Sequence, residues 1–189
     1  MTRYTTEHKA RSTAALKSAA ARLFRTQGFT ATSIDELCQA AGLTRGTFYA
    51  HFPSKQALYE AVLVGPHDFV ERLRGRTQRA VQAGAGAVAR DYLKPAHRDA
   101  VRGGCSLAGL AAETAGSTPA AQEAYATAVE ELVAEFRRGQ TDLSQDRALA
   151  AVALCIGGLL MSSACGEAPV ADRLERSASR WVTRLLDGG

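Results

Sequence analysis

Apolar positions recur along this chain at helical spacing, and no stretch alternates convincingly with period two. Between Glu7 and Gln27, Leu16, Ala19, Ala20, Leu23 and Phe24 fall at i, i+3, i+4, i+7 and i+8, which predicts an amphipathic helix stopped by Gly28. Residues 1–6 are polar and are expected to form a mobile arm. Ser33 followed by Glu36 reads as a capping box opening a second helix, with Ile34, Leu37, Cys38 and Ala41 on one face and Gly42 at its end. Leu43 plugs the turn, and Thr44 caps a third, short helix over about Arg45–His51, anchored by Phe48 and Phe52 and broken by Pro53. Ser54 caps a fourth helix that turns Ala57, Leu58, Ala61 and Val62 inward.

Gly65-Pro66 interrupts the pattern and is the expected hinge between a head and a body. Helical spacing resumes at Phe69, Val70 and Leu73, and a shorter helix is expected over Val88–Leu93. A loop follows over Pro95–Gly104, and then a short apolar segment, Cys105–Ala115. Thr118-Pro119 starts a long helix that runs to near Gly139. Ser144 caps an apolar helix reaching Cys165, and a last helix carries Leu174, Ala178, Trp181, Val182 and Leu185. The predicted fold is all-α: a three-helix helix-turn-helix head over residues 1–53, a fourth helix from 54 connecting to the body, and a larger helical body over 66–189.

Charge sharpens the division. Residues 1–55 hold eight Lys or Arg against three acids, whereas the remainder is close to neutral, so the excess of the whole chain (net +4) sits at its N-terminal end. A small basic module on a neutral body suits a polyanionic partner. Lys9, Arg11 and Lys17 oppose the dipole at the start of their own helix, and phosphate is a reason for their being there.

Cys38, Cys105, Cys155 and Cys165 show no CxxC or Cys/His ligand spacing, so no metal site and no cofactor are expected. The polar N-terminus carries no signal-peptide pattern, and free thiols fit a reducing cytoplasm. Ala148–Cys165 lacks charge over 18 residues, the length of a membrane span. Its Ala, Gly and Ser content, with Asp146, Arg147 and Glu167 beside it, indicates a buried helix and no membrane partner.

Helix, tight turn and short helix form the pattern that places its second helix in the DNA major groove. Arg45 can fork onto guanine O6 and N7, and Thr47 can meet a base edge or a thymine methyl. Gly46 leaves the backbone free to approach. Thr44, Tyr49 and Lys55 stand where phosphate contacts fix register, His51 is a further candidate, and the backbone amide of Ser33 is a helix-terminal one.

The run LTRGTFYAHFPSKQALYEAV resembles the recognition region of TetR-type transcriptional regulators, and the likeness extends over about residues 12–62. Gly46-Thr47, Tyr49, His51-Phe52 and Ser54-Lys55 carry it; Thr44 replaces a common Ser and Arg45 a common Lys. The resemblance implies an all-helical homodimer with a ligand-binding body, a double-stranded DNA operator as partner, and repression relieved by a small molecule, for which the pocket residues named below predict a largely apolar character. It also implies a bundle across the dimer made by the last two helices, for which Leu159, Leu160, Trp181 and Leu185 are the candidates and Gly157-Gly158 allows close approach.

The stretch from Tyr92 to Asp99 and the run from Gly103 to Leu110 resemble the body of a subset of the family. An apolar effector pocket is expected among Phe69, Tyr92, Cys105, Leu107, Leu110, Tyr125 and Val129, with Glu113 and His97 as possible polar groups. Cys105 sits where a helix opens with Arg102 nearby, an arrangement that favours a thiolate, so a thiol that senses oxidants or electrophiles is one alternative. From other classes, the alternatives are an enzyme built on Cys105 and His97, which leaves the basic head unexplained, and an architectural DNA-binding protein without a ligand.

Overall fold

The computed structural model describes residues 2–65, 74, 75, 81, 84–93 and 105–187. Among them every regular element is a helix. They fall into two compact units, residues 1–65 with 110–125, and residues 66–109 with 126–189.

The first unit is built on α1 (Thr2–Gln27), α2 (Ile34–Ala41), α3 (Arg45–His51) and α4 (Lys55–Val64). Helix α1 begins at Thr2, so the expected mobile arm is its first turn. The predicted stripe is its buried face: Leu16, Ala19, Ala20, Leu23 and Phe24 are all buried, and all but Ala19 join Leu37 and Cys38 of α2, Phe48 of α3 and Leu58, Val62 and Leu63 of α4 in one apolar cluster. Gly28 closes α1 at φ 88°, its amide donating to Phe24 O at 3.0 Å.

Residues 110–125, expected in the body, belong to this first unit. They comprise α7 (Ala111–Ala115), Leu110 before it and the start of α8 (Pro119–Arg137). Leu110, Ala121 and Ala124 complete the head's apolar cluster, so Leu110 and the adjoining Tyr125 are core residues where pocket residues were expected. Their burial removes apolar area that the short helices of the head leave uncovered. Polar ties match it. Tyr59 Oη lies 2.8 Å from Thr114 Oγ1, and burial raises the pKa of this phenol. Glu113 Oε1 accepts from the Phe29 amide at 2.7 Å, and a Cβ on Gly28 would come within 2.8 Å of that oxygen. Glycine at 28 therefore answers both a left-handed backbone and a close carboxylate.

The second unit contains α5 (Gly86–Tyr92), α6 (Ser106–Gly109), the rest of α8, α9 (Gln145–Cys165) and α10 (Pro169–Asp187). Thr118 and Ser144 cap α8 and α9 as predicted, accepting from Ala121 N and Arg147 N. The apolar helix α9 turns Ala148, Ala151, Val152, Cys155, Leu159 and Ser162 inward and packs along α10. By length and composition α9 is the one described helix able to cross a membrane. A Cβ on Gly158 would meet Ala178 Cβ at 2.8 Å, so that glycine sets the helix separation; one on Gly157 would meet nothing within 4 Å.

Of the expected dimer residues, Leu159 is fully buried inside its own chain, whereas Leu160 and Trp181 are 38% and 51% exposed. The reason is the 100° step between neighbouring helical residues: Leu159 faces the chain's own core and Leu160 faces out. Leu185 is half-buried.

Candidate nucleic-acid interface

Local sequence fixes the helix-turn-helix unit. Ser33 Oγ accepts from the Glu36 amide at 3.2 Å, and Glu36 Oε2 accepts from the Ser33 amide at 2.7 Å, the reciprocal capping box. The Ser33 hydroxyl, and after it the Ser33 amide, donate to Glu36 Oε2 and hold that carboxyl below its ordinary pKa. Gly42 ends α2 at φ 66°, and no atom lies within 4 Å of a Cβ built there, so the left-handed turn alone calls for glycine. Leu43 N then donates back to Cys38 O at 2.9 Å. Thr44 Oγ1 accepts from Thr47 N at 3.2 Å and starts α3.

Helix α3 is two-faced. Phe48 is 0% exposed and Phe52 is buried. Arg45 and Tyr49 lie on the open side, Tyr49 54% exposed with its ring edge-on to Phe48 at 5.3 Å. Thr47 is half-buried, its hydroxyl 3.0 Å from that of Thr44. A Cβ on Gly46 would touch only Thr44 Oγ1, at 3.8 Å. Nothing among the described residues requires glycine at 46, although glycine inside a helix costs about 1 kcal/mol relative to alanine.

The structure brings Thr44, Arg45, Gly46, Thr47, Tyr49 and His51 together on this one helix and its cap. Three residues have intramolecular partners that the sequence did not disclose. Arg45 Nε lies 2.7 Å from Asp35 Oδ1 on α2. His51 Nδ1 lies 3.0 Å from Thr13 Oγ1 of α1, and because that hydroxyl donates to Lys9 O, the ring nitrogen is the donor. Lys55 departs furthest from expectation. Its Nζ donates to Phe29 O at 2.7 Å and to Thr32 O at 2.8 Å, and stands 4.4 Å from the Phe29 ring centre. The ammonium thus ties α4 to the α1–α2 loop, where a phosphate contact was expected. Ser33 likewise has both its amide and its hydroxyl engaged by Glu36 Oε2. Short-range rules predicted the caps; the partners of Arg45, His51 and Lys55 lie 10, 38 and 23–26 residues away, beyond any local pattern.

The described residues expected to line the effector pocket divide between the two units. Tyr92, Cys105 and Leu107 are buried in the second unit, with Tyr92 Oη donating to Cys105 Sγ at 2.8 Å. Leu110 and Tyr125 belong to the first unit, and Val129 is half-buried in the second. Phe69, His97, Arg102 and Pro66 lie outside the described residues. Cys155 is fully buried, and burial together with the nearby Cys105 pushes its thiol pKa up. Two grooves stand out elsewhere. One in the second unit, of about 570 Å³, is lined by Arg90, Arg176, Arg180 and Arg184 with Asp172 and Glu175. The other, of about 510 Å³ in the first unit, is lined by Phe29, Gln56, Tyr59, Glu113, Ser117 and Thr118, among others.

Residues 16–62, which hold α2, α3, most of α4 and the C-terminal part of α1, match the family model of bacterial regulatory proteins, tetR family. Over these residues the chain is similar to the TetR family. Its similarity to the HTH-type transcriptional regulator EthR of Mycolicibacterium smegmatis is 35% identity over 79 residues, 38% of this chain and 36% of that protein. To the HTH-type transcriptional repressor KstR2 of Rhodococcus jostii it is 35% over 65 residues, 34% of this chain and 30% of that one. The match thus spans about a third of the length of these relatives. Over nearly its full length the chain shares a fold with the reduced form of E. coli NemR (TM-score 0.72, 19% identity, 93% of this chain and 97% of that chain). It also shares the fold with a TetR transcriptional regulator from Chloroflexus aurantiacus (TM-score 0.67, 22% identity, 95% and 96%).

Proposed function

We propose that this protein is a cytoplasmic, ligand-responsive repressor of the TetR family that binds a palindromic DNA operator as a homodimer, and that it is not an enzyme. The observation that carries the DNA reading is α3: two buried aromatic anchors behind, Arg45 and Tyr49 in front, and a helical glycine at 46 that nothing among the described residues requires. A backbone that must approach a base edge supplies that reason. Arg45 and Thr47 read bases, and Thr44, Tyr49 and His51 touch phosphate. Ser33 and Lys55 brace the unit, through the capping box and the loop carbonyls. The basic excess in residues 1–55 supports the same reading.

The two-fold reading rests on the exposed apolar groups of α9 and α10, Leu160, Met161 and Trp181, since a palindromic site is met by a symmetric pair. For the effector, the region of Tyr92, Cys105, Leu107 and Val129 is the favoured location, because a buried phenol paired to a thiol is a polar handle inside an apolar wall.

The test is a footprint followed by gel-shift titration. The protein should protect one palindromic site, and Arg45→Ala should cost about 1–3 kcal/mol and relax preference at one base pair per half-site. Unchanged affinity and preference would remove α3 from the groove.

A further inference from the structure

Asp35 stands in the first turn of α2, and its carboxylate lies 2.7 Å from Nε of Arg45, the first residue of α3. Both side chains are well exposed, 68% and 64%, and ion pairs so open to water add little to stability. The pair therefore calls for a role other than holding α2 to α3, which the apolar cluster already does. We propose that Asp35 is a positioning residue for base recognition: it presents the Arg45 guanidinium to guanine in the DNA major groove. This inference rests on the reading of α3 as the recognition helix.

The geometry supports it in three ways. The carboxylate takes Nε, which leaves the two terminal nitrogens as a planar fork of the kind that meets guanine O6 and N7. The capping box of Ser33 and Glu36 fixes the backbone that carries Asp35, and a carboxylate in a helix's first turn is favoured by the dipole. Gly46 adds no side chain beside the arginine, so its outer edge stays open. An arginine without this tether samples many rotamers and swings readily to the nearest phosphate, a contact that carries no sequence information. Asp35 thus trades general affinity for discrimination: it orders the fork and places one negative charge near the phosphates.

The experiment uses the full chain and duplexes that it selects from a random-sequence pool. The consensus duplex, its single base-pair variants and a random duplex are titrated against the wild type, Arg45→Ala, Asp35→Asn and Asp35→Glu. Arg45→Ala should lose preference at one base pair. Asp35→Asn should weaken preference at that same pair by about threefold to tenfold, the effect of having to order one long side chain on binding. It should leave preference elsewhere unchanged and hold or raise affinity for the random duplex; Asp35→Glu should restore part of the loss. If Asp35→Asn keeps the full preference that Arg45→Ala loses, the positioning role is overturned while the recognition helix stands. If Asp35→Asn weakens all duplexes alike, Asp35 is structural and the proposal again falls. If Arg45→Ala keeps every preference, the recognition reading fails and the proposal with it.

Discussion

Replacing Lys55 by methionine separates two jobs for one side chain. Methionine keeps most of the apolar stem and removes the ammonium. In the structure that ammonium donates to Phe29 O at 2.7 Å and Thr32 O at 2.8 Å, 4.4 Å from the Phe29 ring centre. Hydrogen bonds made by a charged group contribute about 1.5–3 kcal/mol each, and an exposed cation–π contact about 0.5–1 kcal/mol. The sum overstates the loss, because Lys55 is only half-buried and water replaces part of what the carbonyls lose. We expect a destabilisation of about 2 kcal/mol, seen as a urea midpoint shift at unchanged slope and a fall in Tm of about 4–8 °C. The loop from Gly28 to Ser33 leads directly into the α2 cap, so DNA affinity falls as a consequence. The slope of log K against log salt stays that of the wild type, because no phosphate contact is lost. A lysine that held phosphate would behave oppositely: unaltered stability, and a salt slope smaller by about 0.9. That second outcome in paired melts and salt titrations would refute the assignment.

Phe48→Ala removes a fully buried ring and should cost about 3–5 kcal/mol in chemical denaturation, enough to leave α3 undocked. The Glu36 carboxyl titrates below its ordinary value because Ser33 donates to its charged form, so its stabilisation is complete above that ordinary value and is lost as pH falls through the lowered one. Acid titration should therefore weaken the α2 cap in the wild type, and Glu36→Gln should lack that part of the acid transition; identical acid limbs would contradict it. Trp181→Glu places a charge in the exposed apolar face of α10 and should shift sedimentation from dimer towards monomer at micromolar concentration, with loss of operator binding; an intact dimer would move the two-fold face elsewhere. Cys105→Ser keeps a hydrogen-bonding partner for Tyr92 and should leave release from DNA by small molecules intact, whereas lost response to electrophiles alone would make the thiol a sensor.

By itself the sequence determined the local architecture of the head. The Ser33–Glu36 box, the Gly42 turn, the Thr44 cap and the Phe48/Phe52 anchors follow from preferences acting over three or four residues, and the helices stand where those signals put them. The stripes on α1 and α9 were legible for the same reason, since a helical face is a matter of spacing. Tertiary structure alone decided which residue meets which across long separations. It assigned Leu110 and Tyr125 to the head's apolar cluster, turned Leu159 inward and Leu160 outward, and gave the ammonium of Lys55 to loop carbonyls 23–26 residues away. It also paired Asp35 with Arg45, a contact between two helices joined by a tight turn. The physical reason is that burial and hydrogen bonding reward any neighbour brought close in space. Periodicity specifies the face a helix offers, and only packing specifies what that face meets.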